Sequence, residues 1–277
     1  MKKLLALFLA ALMLVSLVAC STAKENETEE AGDAGDTKKE TVVVGYTLYE
    51  PMNYEEDGEL VGFDTELAEA VFEKLGYDVT FKLIDWDQKY TELNAGTINC
   101  IWNGFTANTA DPDGVARADK VDFSYNYMGN KQVIVAKDEL AATVTSTDSL
   151  SGKVGAVENS SAGDTWLTEK LTGAIKKGVT SQLDALKDLA LGAVDFVVLD
   201  EQLAKAYVGK GDYTGLSIVE DVASDAEYYA IGFKKGSDLT AKVNTALEEL
   251  AADGTMAALA EKYGVSNTTI TDFADQK

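Results

Sequence analysis

The sequence predicts an α/β protein of two similar lobes that offer their strand ends to a shared crevice. Three observations carry this reading. From Thr41 onward, short β-branched runs alternate with helical periodicity, the pattern of α/β architecture. A chain of 277 residues suits two compact lobes once a processed leader is set aside. Finally, residues 93–102 are echoed by residues 190–198: each is a helix end, a glycine, a polar residue and then an apolar strand. Ligands of open α/β sheets bind beyond the carboxyl ends of strands. The echo therefore sets Asn103-Gly104 opposite Leu199-Asp200.

Each element follows from local pattern. The first strand spans 41–47. Asp64 is read as the N-cap of a helix with the apolar face Leu67, Val71, Phe72 and Leu75, which Gly76 stops. A strand over 78–83 precedes a helix over 88–95 that Asp87 can cap. Strands follow at 98–103, 121–123 and 132–136. After a polar stretch at 137–151 the pattern restarts, with a strand over 153–157 and a helix over 162–171. Leu183, Leu186 and Leu189 mark a helix over 181–191. A strand over 194–199, a helix over 201–208, a strand over 227–233 and helices over 239–252 and 256–263 complete the chain.

Composition excludes several functions. A net charge of −23 opposes nucleic-acid binding, which needs clustered cations. Histidine is absent, so a histidine general base, a Ser-His-Asp triad and a His-containing metal site are all excluded. No cofactor or metal is expected. Lys2 and Lys3 precede an apolar stretch over 4–17 that is short for a membrane span, and Ala19 supplies the small residue before a cleavage point. Residues 21–40 lack aromatic and large aliphatic side chains, so they read as a flexible spacer. Cys100 lies in an apolar run and is expected to be buried and inert. The segment Leu17-Val18-Ala19-Cys20 resembles the bacterial lipoprotein signal. That resemblance implies a signal peptide over 1–19 and a lipidated Cys20 on the outer face of the cell membrane.

The chain over 42–265 resembles the amino-acid-binding receptors of ABC importers, solute-binding protein family 3, with the type II periplasmic-binding-protein fold. The resemblance rests on Glu50-Pro51-Met52-Asn53-Tyr54, Gly62-Phe63-Asp64, Asp85-Trp86-Asp87, Val121-Asp122-Phe123-Ser124, Val154-Gly155, Ala193-Val194-Asp195 and Asp253-Gly254-Thr255. It implies lobe 1 over 41–134 and 229–277, lobe 2 over 135–228, and crossing segments at 132–137 and 227–233. It also implies an amino-acid ligand, permease subunits as partners, no nucleic acid and a monomer. A binding protein rather than an enzyme is expected. The rivals are a dehydratase on the same fold and the sensor domain of a larger receptor.

An α-amino acid needs a cation for its carboxylate and an anion for its ammonium. Arg117 is the only arginine, and a planar guanidinium pairs both oxygens of a carboxylate. The resemblance gives it that role, although a long loop from Thr106 precedes it and Gly114 stands where the family keeps a threonine. Asp200 matches the ammonium-binding aspartate, Thr106 offers a hydroxyl and Gly104 a carbonyl. Ser161 and Ala162 open a helix whose backbone N–H groups suit a carboxylate oxygen. Tyr49, Trp86 and Trp102 are the candidate walls.

Overall fold

The computed structural model describes residues 39–276. The expected leader, Cys20 and the spacer up to residue 38 lie outside the described residues. The protein is a two-lobed α/β structure built on two five-stranded sheets. In the first, Asp78–Leu83, Thr41–Tyr46 and Cys100–Ile101 run parallel, followed by the antiparallel pair Gly232–Phe233 and Asp122–Phe123. In the second, Ile175–Val179, Val154–Glu158 and Phe196–Asp200 run parallel, and Gln132–Lys137 and Leu216–Ala223 complete the edge antiparallel.

The strand expected as a crossing segment at 132–137 is instead a full member of the second sheet, paired on both sides. Its apolar run is buried from Gln132 through Ala136, which suits a sheet interior and not a solvent-washed hinge. The sheets are joined by residues 124–131 and 224–231. Within these, Met128–Asn130 and Glu227–Tyr229 form their own antiparallel ladder. The strand expected over 227–233 is thereby split between that ladder and the first sheet. The pattern also missed the edge strands Ile175–Val179 and Leu216–Ala223. The former is almost wholly exposed and so has no apolar signature, and the latter is interrupted by a bulge.

Two expected caps are corrected. The helix Phe63–Lys74 begins one residue before Asp64, and its first N–H groups donate to the carbonyls of Pro51 and Met52. Gly62 makes this approach possible: at φ 129° a Cβ there would lie 2.1 Å from the Met52 carbonyl oxygen. Asp87 falls inside a 3₁₀ turn, Trp86–Gln88, and Gln88 occupies the N-cap of the following helix. By contrast Ser161 and Ser181 do cap their helices, accepting from Asp164 and Asp184 at 3.0 and 3.1 Å.

Freed from capping, the Asp64 carboxylate does a different job. Its Oδ2 accepts from the Gly104 N–H at 2.8 Å and from the Tyr127 hydroxyl at 2.9 Å, tying the first helix to a strand end. Asp64 is fully buried, and burial pushes its pKa up to about 7 against the opposing effect of those donors. A carboxyl raised on folding holds its proton more tightly when folded, so it stabilises at low pH and that contribution is lost as pH rises. The Asp64 contribution to stability should therefore fall between 3.8 and about 7, at ~1.4 kcal/mol for each pH unit traversed. In Asp64→Asn, which keeps an acceptor but cannot titrate, the fall measured by denaturant unfolding should be clearly shallower. Parallel profiles for the two proteins would refute this role for Asp64.

Candidate ligand-binding site

Between the sheets lies a cleft lined by Trp86, Asn103, Gly104, Thr106 and Arg117 from one side and Glu158, Ser161, Ala162, Gln182 and Asp200 from the other. The two echoed strands thus meet: Asn103-Gly104 and Asp200 face one space. Gly104 has φ +56°, and a Cβ there would come within 2.6 Å of the Tyr49 ring. The Thr47 hydroxyl donates to Asn103 Oδ1 at 2.6 Å, and the Asn103 side-chain amide donates to Asn53 Oδ1 at 2.7 Å, which fixes its direction.

The loop that delivers Arg117 folds back on itself. Ala110 bridges to Ala116, Asp111 N–H donates to the Val115 carbonyl, and Arg117 N–H donates to the Thr109 carbonyl. Despite its length the loop returns Arg117 to the cleft, where the side chain is 1% exposed. The guanidinium stacks 5.1 Å over the Phe105 ring. Nε donates to Asp111 Oδ1 at 2.9 Å, Nη1 to the Thr106 carbonyl at 3.2 Å and Nη2 to the Ser160 carbonyl at 3.3 Å. These occupy three of the five N–H donors that a guanidinium carries, and the others remain for a ligand.

Across the cleft, Asp200 ends its strand but does not cap the helix that follows. Its oxygens accept from the amides of Asn130, Gln132 and Gln182, with Asn130 at 2.8 Å. Asn130 and Gln132 also donate to Glu227, so two carboxyls share two amides. Burial, opposed by these donors, raises Asp200, and burial with Asp200 nearby pushes Glu227 up to about 7. Lys89 is buried beside Trp86, donating to the Trp86 and Ser160 carbonyls at 3.3 and 2.9 Å. Burial, then Arg117, lowers it to about 7.

Trp86, Gly104, Thr106, Arg117, Ser161, Ala162 and Asp200 are all brought together. Two expected residues are not. Trp102 is fully buried in the first lobe between Phe72 and Tyr127, its ring centroid 6.1 and 6.2 Å from theirs. Its indole nitrogen is directed at the Asp64 carboxyl without completing a hydrogen bond. Tyr49 stands one layer behind Gly104, its hydroxyl 2.7 Å from that of Tyr229. The sequence reading set Asn103 at the crevice without giving it a contact, and it missed Glu158 and Gln182 as lining residues and Lys89 behind them. Cys100 is buried as expected, and burial pushes its thiol up. Among the described residues no group of three or more His, Cys, Asp or Glu is arranged to hold a metal, and no helix is long and apolar enough to cross a membrane.

Comparison with known proteins matches this architecture. The model of the bacterial extracellular solute-binding proteins, family 3, matches residues 42–266. The arginine-binding extracellular protein ArtP of Bacillus subtilis is 28% identical over 265 residues, covering 95% of this chain and 98% of its own. A probable amino-acid ABC transporter-binding protein of Haemophilus influenzae is 33% identical over 267 residues, covering 92% and 95%. Among solved structures, an ancestral arginine-binding protein bound to arginine superimposes with a TM-score of 0.74 at 33% identity, covering 82% of this chain and 99% of that one. With its two lobes, its crossing ladder and a match across nearly all the described residues, the chain belongs to the bacterial extracellular solute-binding proteins, family 3.

Proposed function

We propose that this protein captures an amino acid in the cleft outside the cytoplasm and hands it to the permease subunits of an ABC importer. The observation that carries this reading is the pair Arg117 and Asp200: opposite charges, both buried, supplied to one cleft by different lobes. Arg117 takes the carboxylate with help from Thr106 and the Ser161–Ala162 helix start, and Asp200 takes the ammonium. Trp86 forms a wall, and Tyr49 and Trp102 support the site from behind. A clamp for both ends of a zwitterion supports reading the protein as a carrier, which we take to act as a monomer, and not as an enzyme.

The lobe boundaries expected near 134 and 228 fall within a few residues of the crossing ladder, which we take as the hinge. Contacts already draw the lobes together: Lys89 and Arg117 donate to the Ser160 carbonyl, and the Thr165 hydroxyl donates to the Ala110 carbonyl at 3.0 Å. The space left between the lining side chains is about 10 Å³, no more than one water fills. An amino acid can enter only if the lobes part, and it then contributes contacts to both that favour reclosure.

Isothermal titration against the twenty amino acids and cystine should reveal a ligand, and Arg117→Ala or Asp200→Asn should weaken it by about 2–5 kcal/mol, since truncation leaves a buried ligand charge unpaired. Arg117→Lys should be nearly as harmful, because a point charge does not replace a fork. Lys177→Ala, which breaks only a surface pair with Asp188, should bind as wild type does. Binding of Arg117→Ala within about threefold of wild type, under 1 kcal/mol, would remove Arg117 from the clamp.

We also propose that Cys20 carries the lipid that holds the protein at the outer membrane face, with residues 21–40 as its tether. Cys20→Ala should abolish labelling by a fatty-acid analogue and release the protein from membrane fractions. If the variant labels and fractionates as wild type does, the anchor lies elsewhere.

A further inference from the structure

The cleft contains one buried carboxyl with neither a ligand role nor a direct ion pair or amide side chain to hold it. The cations of the cleft are Lys89 and Arg117, and the carboxyls around them are Asp111, Glu158, Asp200 and Glu227. Arg117 is matched by Asp111 at 2.9 Å. Asp200 is assigned to the ligand ammonium, and Glu227 is held by the Asn130 and Gln132 amides. That leaves Glu158. It ends the strand Val154–Glu158, next to the parallel strand that ends in Asp200, and its side chain lines the cleft at 4% exposure. Its carboxyl lies near the Gln182 backbone N–H, which favours its charged form. Among the described residues no lysine or arginine nitrogen lies within 4.0 Å of it, although Lys89 and Arg117 stand near enough to favour its charged form. A carboxylate removed from water with no cation in direct contact costs several kcal/mol. Burial first, then Asp200, pushes its pKa up to about 8 against the pull of those two cations.

The space beside it supplies room for a side chain. A second cavity of about 480 Å³ is lined by Ile84, Asp85, Ser181 and Asp184, close in sequence to the cleft residues Trp86 and Gln182. Asp85, Glu92 and Asp184 outnumber Lys187 in its lining, so its charge has the same sign.

We propose that the ligand is an amino acid with a positively charged side chain, of the arginine, lysine or ornithine class, and that Glu158 is the counter-ion which selects it. This rests on the amino-acid reading above. Binding such a ligand brings the missing charge into the cleft and lets Glu158 ionise, whereas a neutral side chain leaves it protonated or unpaired.

The test is titration of the full chain, purified in detergent, with L-arginine and with L-citrulline, which is nearly the same shape but uncharged. Wild type should bind arginine at least about tenfold more tightly, a difference of 1.4 kcal/mol. In Glu158→Gln that preference should shrink to within about threefold, chiefly through weaker arginine binding. If wild type binds both ligands alike while Arg117→Ala still abolishes binding, Glu158 shares the α-ammonium with Asp200, and this proposal fails while the amino-acid reading stands. A preference that survives Glu158→Gln overturns it equally. If no amino acid binds at all, the broader reading fails first. The arginine–citrulline comparison needs only wild type, so a misfolded variant would not leave the matter open.

Discussion

Charge held out of water where two lobes meet is the constraint on which the rest of this structure depends. Arg117 is 1% exposed and Asp200 is 6% exposed. Unpartnered buried charges are expensive, so the surroundings of each are specialised to meet it. For Arg117 these are the Asp111 carboxylate, two carbonyls and the Phe105 ring, all of which require the loop 106–116 to turn back on itself. For Asp200 they are three side-chain amides, two of them from the segment that leaves the crossing ladder. The aspartate is thus tied to the residues that join the two sheets.

Ser160 shows how closely the two lobes are coupled. Among the described residues it is one of two other than glycine with positive φ, at 58°, a conformation that costs free energy unless its neighbours enforce it. Its carbonyl accepts from both buried cations of the opposite lobe, and its hydroxyl donates to Asp87. The Asp87 that does not cap its helix is thereby used across the cleft. Under the proposed clamp, the ligand carboxylate would meet Arg117 at the nitrogens that also reach Ser160 across the cleft.

Much of this was legible in the sequence, for identifiable reasons. The run from Gln132 through Ala136 reads as a buried strand because it is one, and its neighbours then decide that it belongs to a sheet and not to a hinge. Arg117 stands out because the chain otherwise uses lysine. Trp102 is turned from the cleft by strand parity. Cys100 and Trp102 belong to one core cluster and Ile101 to another on the opposite face, so alternation already turned Trp102 toward the helix that carries Phe72. Glu158 left no local signal, because its position matters only through pairing with a strand some forty residues later. Asp64 looked like a cap because helix starts favour aspartate. The carbonyls of Pro51 and Met52, which took that role, are visible only in three dimensions.

A crystal structure with an amino acid bound tests the central claim most directly. The charge clamp requires the ligand carboxylate within hydrogen-bond distance of the Arg117 terminal nitrogens, and the α-ammonium within that distance of Asp200, in one closed cleft. A ligand held in the cleft in the reverse orientation, or bound with neither residue in contact, would contradict it.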